Sequence, residues 1–244
     1  MLMLSHLTGP LDVRLVLAGA LFSLLWAFGC LSLAAYLKCR CGVRTGYTRK
    51  IFHLLIFTSA VVAHALGGFT GVCVFGAMVS VVVGHAIILG PGSSRYLALA
   101  REQDRPYRTR LIVIPYFATL IGGVVSNIFF GPIAVVGYLV GGLGDAAGEP
   151  AGTRWGKHPF VRRPGQAMVT KTFEGSFAVL VASAFALLIG VAITPELHFG
   201  FRSAIAIPAI AMVCTLVEAF SPRGWDNVPM QIVPTILTTL WLTK

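Results

Sequence analysis

The sequence predicts an all-α, polytopic membrane helix bundle of about eight transmembrane helices with both termini outside. Three observations predict it. Charged residues make up 11% of the 244 and apolar residues 56%, with a mean hydropathy of +0.82, whereas soluble domains carry roughly 25% charged residues. Apolar runs of near-span length follow one another along the chain. The basic residues gather in alternate linkers between those runs. At about 20 residues per span, this length holds about eight or nine helices and little else. Residues 1–244 are therefore read as one domain.

Taken in order, the apolar runs fall near 13–37, 51–66, 69–90, 111–126, 128–143, 175–194, 203–219 and 228–243. The first lacks a basic leader and a small-residue cleavage site, so it reads as a retained helix rather than a signal peptide. The stretch 111–143 is long for one span and short for two. Pro115, Gly122-Gly123, Asn127 and Gly131-Pro132 interrupt it, which predicts two short helices joined near Asn127, with a re-entrant hairpin as the alternative.

The charges give a check on that count. The linkers 37–50, 91–110 and 144–174 carry five Lys or Arg each and 220–227 carries Arg223, leaving Arg14, Arg202 and Lys244 of the 19. With eight crossings these four linkers share one face, which the positive-inside rule makes cytoplasmic. One crossing at 111–143 would put the first two basic linkers opposite the third. The same distribution accounts for the net charge of +10 without a nucleic-acid partner. The five cysteines show no metal-site spacing, and Cys39-x-Cys41 is too short for a CxxC clamp.

Polar groups concentrate in three places on the expected cytoplasmic face. At 49–53 the chain reads RKIFH, and helical spacing puts Arg49, Lys50 and His53 on one face. A basic snorkelling anchor would look the same. The stretch Gly144–Gly175 is the long polar segment of the second half. It begins with Asp145 and Glu149 among glycines at 144, 148, 152 and 156, continues through Arg154, Lys157, Arg162, Arg163 and Lys171, and exits through Lys171-Thr172-x-Glu174-Gly175. If helical at its start, it aligns Asp145, Glu149, Thr153 and Lys157, with a bend or restart at Pro150.

Small residues at that spacing usually mean close helix packing. Two carboxylates at a membrane boundary are costly unless paired or bound to a cation, and two hard oxygens plus substrate phosphates are a usual way to hold Mg²⁺. The glycines would let a nucleotide approach the backbone, and the cations would offset phosphate charge. The third cluster is Glu218, Ser221, Arg223, Asp226 and Asn227, around a Pro222/Gly224 turn. Glu218 ends a helix, where the dipole disfavours a carboxylate, so it calls for a partner. A surface turn is the plain alternative. The 91–110 arginines read as a solvated basic loop against anionic lipid, and His64 and His85 as packing residues. No GxxxxGK[ST], HExxH or G-x-S-x-G occurs.

In this order the clusters resemble the CTP-dependent polyprenol kinase family, which includes dolichol, phytol and farnesol kinases. The shared pattern is RKxxH (49–53), then GD-x6-G-x3-G-[KR] (Gly144-Asp145, Gly152, Gly156-Lys157), then K-[KTS]-x-E-G (171–175), then a late E…DN (Glu218, Asp226-Asn227). It runs from about 49 to 234. The central piece also resembles CDP-diacylglycerol synthases, although Met168-Val169-Thr170 stands where that family usually has Ser-Pro before the lysines.

The kinase resemblance implies phosphoryl transfer from CTP to the hydroxyl of an isoprenoid alcohol (phytol, farnesol or a polyprenol) at the cytoplasmic face. It implies Mg²⁺ held by Asp145 with Glu149 or Asp226, charge neutralisation by Lys157 and Lys171, and Glu218 or Asp226 as proton acceptor. Arg49, Lys50, His53, Gly144, Gly152, Gly156, Thr172, Glu174, Gly175 and Asn227 would bind the nucleotide. A phosphatidate cytidylyltransferase is the alternative enzyme, and a non-catalytic transporter the alternative outside catalysis.

Overall fold

The computed structural model describes residues 13–161 and 171–243. Arg162 and Arg163, part of the polar stretch Gly144–Gly175, lie outside the described residues. The chain divides into two compact units, Met1–Ile112 and Val113–Lys244. All-α architecture is observed: among the described residues the elements are helical apart from one two-stranded ladder. Among the described residues, five helical stretches are long and apolar enough to cross a membrane: Val13–Cys39, Thr45–Gly92, Arg110–Trp155, Phe173–Ile193 and Phe201–Phe220. Their large apolar side chains face outward as freely as inward, as with Leu15, Phe22, Leu66 and Phe177. That is the signature of helices solvated by lipid.

In the first unit, α1 (Val13–Cys39) packs its small residues Ala27, Cys30, Ala34 and Ala35 inward. Beside it runs α2 (Thr45–Leu89). A straight helix of that length would reach about 67 Å, twice the roughly 30 Å hydrocarbon core. It is not straight. Gly68 has φ +55, and a side chain at Gly71 would collide with the carbonyl of Ala63. Residues eight apart on a continuous helix are about 12 Å apart, so the two limbs fold back on each other at Gly67-Gly68.

The 91–110 linker differs from the solvated loop expected of it. Helix α3 (Ser94–Leu99) is capped by Ser93 and pinned by Thr45 and Thr48, whose hydroxyls donate to the carbonyls of Leu97 (3.2 Å) and Ala98 (2.9 Å). Arg108 is buried and donates to the carbonyls of Ala100 (2.6 Å) and Arg101 (3.1 Å). Buried Arg101 pairs with Asp104 at 3.2 Å. Carbonyls orphaned at the end of a short helix need donors, and a guanidinium supplies several in a fixed fork. These arginines serve the fold.

In the second unit, α4 (Arg110–Phe130) ends at Gly131, whose φ is +53. The turn is Gly131-Pro132, not Asn127, which lies inside α4 and donates to the Gly123 carbonyl (2.8 Å) and the Tyr138 hydroxyl. Tyr138 also reaches Gly123 at 3.4 Å. Fifteen residues along one straight helix would span about 22 Å, so α5 (Ala134–Leu139) returns alongside α4. It continues through a π turn, Val140–Gly144, directly into α6 (Asp145–Trp155). Then follow strands β1 (Pro159–Val161) and β2 (Lys171–Thr172), α7 (Phe173–Ile193), α8 (Phe201–Phe220) and α9 (Pro229–Leu242).

Candidate active site

Three segments of the second unit converge. The π turn delivers Asp145, 5% exposed, at the head of α6. The last turn of α8 delivers Glu218, also 5% exposed. The α8–α9 turn delivers half-buried Asp226. One carboxylate oxygen from each lies within 4.8 Å of the other two. Cis and trans ligands about 2.1 Å from an octahedral Mg²⁺ are about 3.0 and 4.2 Å apart, so small side-chain adjustments make this donor set fit a hard divalent cation. Glu149, expected among the ligands, stands outside this group; Glu218 takes that place. One helical turn beyond Asp145 on the same helix, Glu149 turns with α6, whereas Glu218 arrives from α8.

The fourth member is Lys171, whose ammonium donates to Glu218. Burial alone would push this ammonium down, but Glu218, Asp226 and Asp145 outweigh it and hold its pKa above the ordinary lysine value. The side chain therefore stays cationic. Three clustered carboxylates repel one another strongly where water is excluded, and Lys171 offsets that repulsion.

The rest of the K-T-x-E-G step positions Lys171. Thr172 pairs with Pro159 across the β ladder, and the Phe173 amide donates to the His158 carbonyl at 3.1 Å. The Thr172 hydroxyl caps α7, accepting from the Gly175 amide at 3.1 Å. Glu174 lies in the first turn and reaches back to His158, 2.7 Å from Nδ1 and 3.4 Å from the amide. In this arrangement Thr172 and Glu174 hold the chain's entry into α7. His158 was not singled out by the sequence; sixteen residues separate it from Glu174, and no helical or strand period links them.

The glycines of α6 are accounted for by packing. A Cβ on Gly148 would lie 2.8 Å from Val179 Cγ2 and 3.7 Å from Glu218 Oε1; one on Gly152, 3.0 Å from Thr172 Oγ1. Gly175 faces the Gly148 carbonyl and Gly152 Cα at 3.0 and 3.4 Å, Gly144 faces Ser183 Oγ, and Gly156 faces Thr172. Helix α7 fills the space expected to admit a nucleotide. Close approach of the two backbones brings Asp145 and Lys171 to Glu218.

Helix α6 runs unbroken through Pro150 and ends at Trp155, so Lys157 lies beyond it, exposed, rather than on one stripe with Asp145. Asn227 is buried and donates to Pro115 O (3.0 Å) and Thr119 Oγ1 (2.8 Å). Gln231, one turn on, donates to Thr119 O (3.1 Å) and Asn227 O (2.8 Å). Gly224, at φ +80, lies where a Cβ would come 3.0 Å from Pro115. Together these tie the turn carrying Asp226 to α4. Arg49, Lys50 and His53 belong to the first unit: Lys50 is buried, and the His53 ring lies 4.3 Å from that of Phe57.

Comparison with family models, with curated proteins and with solved structures finds no match.

Proposed function

We propose that this protein is a multi-pass membrane enzyme that transfers the γ-phosphoryl group of CTP to the hydroxyl of an isoprenoid alcohol. The observation that carries the reading is the meeting of Asp145, Glu218 and Asp226 around Lys171 from three separate segments. Buried ionisable residues at a membrane boundary are expensive and mark functional sites. The donor identity and the alcohol class come from the ordered resemblance.

In this reading the chain crosses the bilayer eight times, counting the reversals at Gly68 and Gly131 as ends of spans, and its basic linkers are cytoplasmic. A water-soluble donor reaches the site from that side, and a lipid acceptor enters laterally.

Asp145, Glu218 and Asp226 would hold Mg²⁺, which would offset charge developing on the nucleotide phosphates. Lys171, held in place by the α7 cap, supplies a fixed cation to the transferring phosphoryl group. Exposed Lys157 adds a cation at the open side. The alcohol oxygen forms the new bond to the γ-phosphorus as the bond to the β-phosphate oxygen breaks. CDP leaves, and the alcohol proton passes to Glu218 or Asp226.

Purified protein incubated with Mg²⁺, CTP labelled at the γ-phosphate and farnesol, phytol or a long polyprenol tests this. Label in the lipid and loss of that label in Asp145→Asn, with membrane insertion intact, is the expected result. Label in pyrophosphate with phosphatidate as acceptor replaces the kinase by a cytidylyltransferase. No transfer to any acceptor overturns both.

A further inference from the structure

On the outer flank of α6 and α7 lies a groove of about 730 Å³, within the size range of small-molecule sites. The small side chains of Ala178 and Ala182 leave the space that Trp155, Phe177 and Phe185 border, and Glu174 stands at its head. From Phe173 to Phe185 it follows α7 for about 18 Å, at 1.5 Å per residue.

Three features define the occupant. Phe177 and Phe185 are 66% and 57% exposed on α7, which is apolar enough to cross a bilayer, and Trp155 at the end of α6 is 65% exposed, so the groove opens to hydrocarbon along α7 and fills from within the membrane. Glu174 is the ionisable residue of its lining and sits at the end nearest Lys171, so the occupant has one polar end and a long apolar body. The Glu174 carboxylate, already paired with His158, accepts a hydrogen bond from a neutral hydroxyl and repels a phosphate or carboxylate. At Glu174 a neutral hydroxyl is therefore favoured over an anionic headgroup. Along α6, Ala151 of the groove wall is three residues from Gly148, whose Cβ position faces Glu218.

We propose that this groove holds the hydrocarbon chain of the acceptor alcohol, with its hydroxyl end entering past Glu174 toward the carboxylate site and the depth of the groove setting chain-length preference. This rests on the kinase reading of the neighbouring carboxylate site. The alcohol enters this open groove from the lipid phase, with its chain running along α7 toward Phe185. Replacing Ala178 or Ala182 by a large side chain closes it.

The test uses the full-length protein in lipid nanodiscs and a farnesol carrying a diazirine on its terminal isoprene unit. After photolysis, labelled peptides are mapped by mass spectrometry, and phosphorylation of the same probe is measured in parallel. Labelling is expected within 173–185 or at Trp155, competed by unlabelled farnesol and not by phosphatidate. Ala178→Phe/Ala182→Phe is expected to lower it at least tenfold. Labelling spread equally over other lipid-facing helices, or competition by phosphatidate as strong as by farnesol, overturns the groove. The wild-type map stands by itself if the double variant does not fold. Groove labelling without phosphorylation defeats the kinase reading and leaves the groove; phosphorylation without groove labelling defeats the groove alone.

Discussion

The ammonium of Lys171 donates to the carboxylate of Glu218, 47 residues further along the chain. This contact joins the entry of α7 to the exit of α8 and places a cation against three carboxylates that would otherwise repel. Lys171→Met is expected to destabilise the protein by about 2–3 kcal/mol, since breaking a buried pair strands the remaining charge. Its side chain is 24% exposed, which keeps the cost at or below the low end of the buried-pair range. Thermal unfolding in detergent measures it, and adding Glu218→Gln to the variant should recover part of the loss. A raised lysine pKa contributes stability that is complete below the unfolded value near 10.4 and is lost as pH rises through the folded value. Wild type should therefore lose this increment only above about pH 10.4, and Lys171→Met should lack that alkaline step.

The cap of α7 should be separable from the chemistry. Thr172→Ala removes the acceptor for the Gly175 amide and should cost about 1 kcal/mol, while Thr172→Ser restores it. Activity should fall and recover with stability across the pair. A Thr172→Ser enzyme that is stable yet inactive would instead give the threonine methyl a role in binding.

Gly148→Leu should push α6 off α7, because even a Cβ there lies 2.8 Å from Val179. Overpacking of this kind costs about 1–3 kcal/mol, and the resulting separation should abolish Mn²⁺ binding measured by electron paramagnetic resonance. Retained Mn²⁺ affinity would show that the metal set does not depend on the glycine seam.

Topology is testable through the exposed Cys39 and Cys41 of the first basic linker. A membrane-impermeant maleimide should label them only after cells are permeabilised. Labelling in intact cells would invert the orientation and with it the side from which the nucleotide arrives.

Arg95→Gln is a control in the first unit. Its guanidinium lies 4.1 Å from the Phe28 ring centroid and its Nε 3.4 Å from Ser32 Oγ, contacts worth up to about 1 kcal/mol. Turnover should be unchanged. A large loss would move the nucleotide pocket to the 91–110 linker.

Much of the site was legible as residue type at a boundary. The cost of a carboxylate at a membrane boundary singles out Asp145, the helix dipole singles out Glu218, and Asp226 and Lys171 stand in the polar turn and the basic exit beside the apolar runs. Who partners whom was not legible, because Glu218 and Lys171 share no local period. For the same reason Glu149, near Asp145 in sequence, stands outside the close carboxylate group in space, and His158 carries no local signal that ties it to Glu174. The glycines illustrate a different failure: a small residue reads alike whether a ligand or a helix fills the space beside it. Of the residues read as nucleotide contacts, Thr172 caps a helix with its hydroxyl and Asn227 donates to α4 through its amide nitrogen.

By itself the sequence determined that this chain is a helical membrane protein, because composition and apolar run length depend on no contact between distant residues. It also determined where polar chemistry is concentrated along the chain. Tertiary structure alone decided that the break in 111–143 falls at Gly131, that Arg101 and Arg108 fold inward, and that Glu218 rather than Glu149 joins Asp145 and Asp226. Each of these depends on which backbone can approach which, and that is fixed by the packing of whole helices rather than by any local pattern.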